Sequence, residues 1–205
     1  MGYHLAGFDV TGVDIAPQPR YPFTFVQADA VAFIREYGAG FDFIHASPPC
    51  QHDSACQRIQ GNAHPDLIAP TRTVLESTRR PWVIENVRGA VPKLNSPVML
   101  CGTMSGLENY RHRFFEPGGG LTLTQPVHAV HLVPQAKMGR PVPPGHYGQF
   151  VGNFSGVDLA RRVLGVPWMN RDGIRECIPP SYTAWVGRAA LAGLAVPAPV
   201  LGVAA

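Results

Sequence analysis

Two short apolar runs, each followed by reactive or rigid residues, constrain the fold of this chain most. Phe41 to Ala46 (FDFIHA) has strand character and ends in Ser47-Pro48-Pro49, where the prolines cannot donate to a β-ladder. Trp82 to Glu85 (WVIE) is a second buried-strand run, and a helical pattern over Asp66 to Arg79 lies between the two. Strands that alternate with helices favour a parallel sheet. The sequence therefore predicts an α/β fold with its chemistry at the strand ends.

The first forty residues extend this pattern. Asp9 to Ile15 and Thr24 to Gln27 are short β-branched runs, which indicate two more strands. Asp29 to Tyr37 has an acidic start and helical apolar spacing, and Gly38 follows it. We therefore predict a helix there, with Asp29 as its cap.

The sequence between Gly89 and Gly148 changes to short segments broken by proline and glycine, with no sustained period. It predicts an irregular lobe over residues 89–149, whereas residues 1–88 and 150–205 form the core. The last third of the chain regains regular patterns. These predict helices at Gly156–Leu164 and Ala184–Leu194, a polar turn at Asn170–Gly173 and a stop at Ile178-Pro179-Pro180.

Charge and hydropathy bound the function only loosely. The formal charge of +3 and the pI near 8.8 are compatible with a phosphate-rich partner but equally ordinary in other enzymes. The most apolar stretch, Ala189 to Ala205, is interrupted by glycine and proline, so no membrane span is predicted. The four cysteines contain no C-x-x-C pair, which favours a reducing, cytoplasmic location.

Three of the cysteines and the histidines near Cys50 are not predicted to take part in chemistry. No base or metal partner is evident in the sequence for three of the thiols, which are interpreted as packing residues: Cys56, Cys101 and Cys177. The histidines nearest Cys50 have no familiar ligand spacing, so no metal site is predicted from them: His45, His52 and His64.

Cys50 is the strongest candidate for a reactive group. Prolines on its N-terminal side hold its loop rigid just beyond a strand end, where a nucleophile can be fixed and exposed. Alone it would be interpreted as a buried loop cysteine. However, Glu85-Asn86-Val87 follows the next strand, so a carboxyl group emerges at the neighbouring strand end. Two reactive groups at adjacent strand ends predict one pocket.

These motifs resemble those of the DNA cytosine-5 methyltransferases, in which a Pro-Cys-Gln loop precedes a Glu-Asn-Val motif. Both are present here in that order, at 49–51 and 85–87. Arg111-His112-Arg113 is similar to the family's Arg-x-Arg strand, and Val13-Asp14 and Ala28-Asp29 are similar to its cofactor-binding strand ends. The tail Glu176 to Thr183 (ECIPPSYT) resembles short bacteriophage-type members.

The resemblance implies a Rossmann-like, class I methyltransferase sheet that uses S-adenosylmethionine on double-stranded DNA. Cys50 would attack C6 of a flipped cytosine, Glu85 would protonate the ring at N3, and Arg111 and Arg113 would hold the base or nearby backbone. The implied cofactor-binding residues are Asp14, Ile15, Asp29, Ala30 and Pro48. The implied substrate-binding residues are Ser47, Pro49, Gln51, Asn86 and Val87.

The auxiliary residues also have plainer interpretations. Asp14 could be a surface loop carboxylate, although the other motifs disfavour that interpretation. Asp29 could accept a hydrogen bond from the adenine amino group, or it could only cap its helix. Arg111 and Arg113 alternate as on one face of a strand, and such a pair is more often a solvated or phosphate-contacting edge.

Met1 to Phe8 resembles the helix that follows the family's glycine-rich loop, so the first strand and that loop are absent from this sequence. The resemblance then implies that this sequence binds S-adenosylmethionine weakly or not at all. The leading hypothesis is a monomeric methyltransferase that protects phage or host DNA, as in restriction-modification. The alternative is an inactive, truncated remnant that binds nucleic acid. An unrelated cysteine hydrolase would need an ordered histidine and acid, and neither stands out.

Overall fold

The strands of the protein fall into two sheets. In the computed structural model, which describes residues 1–49 and 66–195, β1 (Thr11–Asp14) pairs in parallel with β2 (Thr24–Gln27). A second sheet has the order β3-β4-β6-β5, in which β3 and β4 are parallel and β6 runs antiparallel to both of its neighbours. Its strands are β3 (Ile44–Ala46), β4 (Trp82–Asn86), β5 (Val98–Leu100) and β6 (Arg113–Gly118). Across the described ranges, no ladder joins the two sheets.

Helices connect and cover these strands. They are α1 (Gly2–Ala6), α2 (Ala30–Tyr37), α3 (Ile68–Ser77), α4 (Val157–Leu164), α5 (Arg171–Glu176) and α6 (Pro180–Leu194). Short 3-10 turns occupy Gly38–Gly40, Arg88–Lys93 and Gly102–Ser105. None of the helices in the described part of the chain is long and apolar enough to cross a membrane.

The four-stranded sheet is covered on both faces, and every residue of β4 is buried. Trp82 and Ile84 pack into one core with Leu75 of α3. Val83, which points the opposite way, packs into the second core with Tyr182 of α6. Each such buried side chain contributes roughly 1.5–3 kcal/mol, so packing on both faces holds β4 firmly in the sheet.

A third, smaller core lies beyond the sheet. Phe150, Phe154, Leu164 and Ile174 pack together where α4 and α5 meet the preceding loop. Elsewhere, α2 contacts both β1 and α3, so it links the two-stranded sheet to the larger one.

The α/β prediction is confirmed at the level of class, and the predicted strands at 24–27 and 82–85 and the capped helix α2 are present. The irregular lobe is shorter than predicted, because β5 and β6 lie within residues 89–149 and belong to the main sheet. Residues 119–156 hold no helix or strand, only one isolated bridge between Gln135 and Tyr147.

Two further predictions were wrong near the C-terminal end. Asn170 does not form a turn but caps α5, since its Oδ1 accepts from the Gly173 amide at 2.9 Å. Pro180 does not stop a helix but begins α6, where a missing amide hydrogen costs nothing. Prolines and polar residues mark helix starts as well as ends, and the pattern alone did not distinguish them.

Candidate active site

Glu85 is a buried carboxyl group near the end of β4. Its Oε1 lies 2.9 Å from Nε of Arg113, the first residue of β6, and the two side chains are 7% and 12% exposed. The contact is an ion pair rather than a directed hydrogen bond, and no described residue donates a hydrogen bond to Oε1. A buried carboxyl oxygen is therefore left with capacity for a ligand's donor or for a proton.

The surroundings of Glu85 favour its protonated form. Burial raises the pKa of Glu85, and this effect outweighs the opposing influence of Arg113, a Ser47 hydrogen bond and Arg111. A carboxyl group with a raised pKa keeps its proton to higher pH than an exposed glutamate and can give it to a bound partner. The site therefore suits general acid chemistry.

A buried amide fastens the end of β3 to the end of β4. Asn86 is 1% exposed, and its Nδ2 donates to the Pro48 carbonyl at 3.1 Å, while its Oδ1 accepts from the Val87 amide at 2.9 Å. Pro48 itself is buried, and Pro49 is exposed. The predicted residues Ser47, Pro48, Asn86 and Val87 are thus brought together with Glu85. Cys50 and Gln51 lie outside the described residues.

A chain of hydrogen bonds reaches this site from the N-terminal helix. The Tyr3 hydroxyl lies 2.6 Å from His45 Nδ1, and His45 Nε2 lies 2.8 Å from Ser47 Oγ. Burial lowers the pKa of His45 to about 4, so the ring is neutral and has one donor and one acceptor. Burial, with the charge of Glu85, raises the pKa of Tyr3, so the phenol keeps its proton.

Together these states fix the direction of the hydrogen bonds. Tyr3 donates to Nδ1 of His45, whose Nε2–H then donates to Ser47 beside Glu85. Sequence reasoning missed this chain. The spacing of His45 and Ser47 at one strand end was a usable signal, but Tyr3 lies 42 positions away from His45 in the sequence.

Arg111 occupies a different environment from Arg113. It is 6% exposed and precedes β6, and its Nη1 donates to the Phe150 carbonyl at 3.0 Å. Its Nη2 donates to the Arg175 carbonyl, and Tyr182 donates its hydroxyl to the Arg111 carbonyl at 2.5 Å. Burial, followed by the charge of Arg113, lowers its pKa to about 10, so it stays charged. Arg111 therefore fastens the third core to the sheet, and only Arg113 contacts Glu85.

A polar cleft opens beside the two arginines. It is lined by Tyr110, Arg111, His112, Arg113, Gln135 and Gln149, among others. Amide, guanidinium and aromatic groups in one concave surface can hold a planar ligand by hydrogen bonding and stacking. The cleft lies on the Arg113 side of Glu85's ion pair.

The residues predicted to bind the cofactor bond mainly to their own loops. Asp14 accepts from the Ala16 amide at 2.8 Å and from Gln18 Nε2 at 3.1 Å. Asp29 accepts from the Ala32 amide at 2.8 Å, which confirms its capping role. Ile15 is 73% exposed, its carbonyl accepts from Gln27, and Ala30 is exposed.

Cys101, interpreted from the sequence as a packing thiol, is buried and lies beside three histidines. One ligand atom from each of Cys101, His112, His128 and His131 lies within 4.8 Å of the others. The sequence signal was the His128-x-x-His131 pair, but the other two members come from distant strand ends. Cys177 is buried, and its Sγ contacts the Ile174 carbonyl at 3.4 Å, as a packing thiol would.

No protein-family model matches this chain, and no curated protein matches it significantly.

Proposed function

We propose that this chain activates cytosine in DNA in the manner of a cytosine-5 methyltransferase. The observation that carries the proposal is Glu85, a buried carboxyl group with a raised pKa, paired with Arg113 at the end of β4. Through Asn86 the same strand end is tied to Pro48, two residues before Cys50. Nucleophile and acid would thereby share one rigid edge of the sheet.

The proposed reaction begins with addition of the Cys50 thiolate to C6 of a flipped cytosine. A C–S bond forms, the electrons of the C5–C6 double bond shift through the ring, and N3 takes a proton from Glu85. C5 then carries the density of an enamine and can attack an electrophile. Return of the N3 proton to Glu85, loss of the C5 hydrogen to a base and expulsion of the thiolate restore the aromatic ring. Flipping the base costs roughly a few kcal/mol.

Arg113 and Ser47 prepare Glu85 for this role. After the proton has left, the Glu85 carboxylate is stabilised by the guanidinium 2.9 Å away and by the Ser47 hydrogen bond. His45 and Tyr3 orient Ser47. In this proposal the protonated Glu85 donates to the base, and the carboxylate that remains is held by Arg113 and Ser47. The surroundings of Glu85 therefore need no large rearrangement during the reaction.

The arrangement of the strands supports a methyltransferase-type sheet. The resemblance places a central strand between the strands that carry Asp14 and Ala46, and in the described residues no ladder joins those two strands. Helices cover both faces of the larger sheet, as in doubly wound folds.

The acidic residues assigned to S-adenosylmethionine make local hydrogen bonds in the arrangement observed. Both oxygens of Asp14, and one of Asp29, accept hydrogen bonds from their own loops. The chemistry supported by the described residues therefore concerns the base. Methyl transfer from S-adenosylmethionine is what the resemblance implies.

Exchange of the cytosine C5 hydrogen with solvent tests the proposal without any cofactor. Thiolate addition at C6 lets C5 take up a solvent proton and lose its own, so duplex DNA tritiated at C5 should release tritium. Cys50→Ser should abolish release, and Cys56→Ser serves as the matched control. Release that persists in Cys50→Ser would contradict the assigned nucleophile.

The alternative, a nucleic-acid-binding protein without turnover, is favoured by the local bonding of Asp14 and Asp29. It predicts that the chain binds duplex DNA but releases no tritium. The same assay, read beside a DNA-binding titration, therefore separates the two functions.

A further inference from the structure

A cluster of one thiol and three imidazoles lies at the β5–β6 edge of the main sheet. Cys101 follows β5 directly and His112 precedes β6 directly, and the antiparallel pairing of Leu100 with Arg113 sets them side by side. His128 and His131 reach the same point from the irregular segment after β6. The sheet thus supplies two groups and the loop supplies two.

The spacing of these groups matches a tetrahedral metal ion. Cys101 Sγ lies 3.4 Å from His131 Nε2, and the Nε2 atoms of His128 and His131 are 2.9 Å apart. Zinc binds sulfur at about 2.3 Å and imidazole nitrogen at about 2.0–2.1 Å, so neighbouring ligand atoms around it lie roughly 3.3–3.6 Å apart. All four ligand atoms lie within 4.8 Å of one another, so shifts of up to about 1 Å would bring them to these separations around one ion.

Neighbouring side chains hold the cluster in this orientation. His131 is stacked between Tyr110, with ring centroids 3.6 Å apart, and His112, with centroids 5.1 Å apart. Thr103 Oγ1 lies 3.2 Å from Cys101 Sγ, where its hydroxyl can donate to a thiolate.

We propose that Cys101, His112, His128 and His131 bind one zinc ion that fastens the segment after β6 to the sheet. A thiolate with three imidazoles is a donor set that zinc accepts readily, and four protein ligands leave no position for a substrate. The role is therefore structural.

The segment that carries His128 and His131 has few buried apolar side chains. Val127, Val130 and Leu132 are 93%, 80% and 85% exposed, so the segment that carries His128 and His131 buries little apolar surface of its own. It also lies between β6 and Gln135, which lines the cleft beside Arg113. An ion at the cluster would hold that side of the cleft in place, independently of whether the protein transfers methyl groups.

Metal analysis of the purified full chain tests the proposal. The wild-type protein should bind zinc with one more equivalent than the His128→Ala/His131→Ala variant, whose remaining site should bind more than about 100-fold more weakly. Both histidines are exposed, so the variant should fold. The control is His4→Ala/His146→Ala, two histidines outside the cluster, which should keep the full equivalent. Equal zinc content and affinity in the two double variants would overturn the proposal.

The absorption spectrum of the cobalt-substituted protein tests whether Cys101 is a ligand. Cobalt bound at this site should give a thiolate-to-metal absorption band that disappears in Cys101→Ala and persists in Cys50→Ser. The converse pattern would place the metal elsewhere and overturn the assignment. Chelation should also make residues 119–135 more accessible to protease. Unchanged cleavage of that segment after zinc removal would contradict the structural role.

Discussion

The two sheets of this protein differ in how their functional residues are held. In the four-stranded sheet, Glu85, Asn86 and Glu116 are at most 5% exposed and have partners from other strands and helices. In the two-stranded sheet no strand residue is buried, and Asp14 bonds only within its own loop in the described contacts.

This difference shows which half of the proposed chemistry is already assembled. Groups fixed by long-range contacts keep their geometry when a ligand arrives, whereas groups held by their own loop depend on neighbouring structure to define a site. The half proposed to activate the base is preorganised by the fold. The half assigned to the cofactor consists of capped loops, so substitutions in the two halves should differ in kind.

The largest expected effect is on catalysis in the four-stranded sheet. Glu85→Gln removes the proton that stabilises the developing charge on the cytosine, so tritium release should fall by about 10²–10⁴-fold. The control is Glu36→Gln, an exposed glutamate of α2. A Glu85→Gln protein that releases tritium at the wild-type rate would remove Glu85 from the acid role.

The same sheet should lose the most stability when its buried charge is broken. Glu116 is 1% exposed and accepts hydrogen bonds from Arg72 at 2.6 and 2.7 Å and from the Asn95 amide at 3.0 Å. Glu116→Ala leaves a cation and an amide without their acceptor, and the free energy of unfolding should fall by about 3–5 kcal/mol in urea titrations.

The matched control for Glu116 is Asp172→Ala. It breaks the exposed Asp172–Arg175 pair within α5 and should change stability by less than about 0.5 kcal/mol. Similar losses in both variants would show that burial does not distinguish the two pairs.

Acid should weaken the four-stranded sheet through His45. Its pKa falls from 6.5 to about 4 on folding, so the unfolded chain binds the proton more tightly. The stability due to the neutral ring is present above pH 6.5 and is lost as pH falls towards 4, by on the order of 3 kcal/mol.

The His45 share can be isolated by substitution. His45→Gln should flatten the dependence of unfolding free energy on pH between 6.5 and 4, relative to His4→Gln, which changes an exposed histidine. An unchanged slope in His45→Gln would mean that His45 does not carry this loss.

The smallest effect is expected in the two-stranded half. Asp29→Ala removes the cap of α2 and should cost about 1 kcal/mol, and Asp29→Asn, which caps equally well, should restore it. Thermal unfolding of the two variants measures this. If Asp29→Ala lost as much unfolding free energy as Glu116→Ala, the two sheets would not differ in how firmly their residues are held.

The sequence predicted what depends on local patterns. The strand at Trp82–Asn86 and the Asp29 cap follow from hydrophobic runs and capping chemistry, and the position of Glu85 at a strand end follows with them. Strand β5 was not predicted, because it has only three residues and its pairing partner lies across a turn-rich stretch. A strand at Arg111–Arg113 was expected from the resemblance, and β6 begins at Arg113.

Groups brought together by long-range packing were beyond sequence reasoning. Arg111 and Arg113 are two positions apart and look equivalent in the sequence. In the structure Arg111 donates to the backbone carbonyls of Phe150 and Arg175, whereas Arg113 pairs with Glu85. Tyr3 beside His45, and Cys101 beside His131, are separated by 42 and 30 positions.

The central claim is that Cys50 attacks C6 of a cytosine held beside Glu85. The most direct measurement is mass spectrometry of the full chain after incubation with a duplex that contains 5-azacytosine, whose ring nitrogen makes C6 more electrophilic. The account predicts a covalent adduct on the peptide that contains Cys50 and none in Cys50→Ser, with DNA binding unchanged. An adduct in Cys50→Ser, or none in a wild-type chain that binds the duplex, would contradict it.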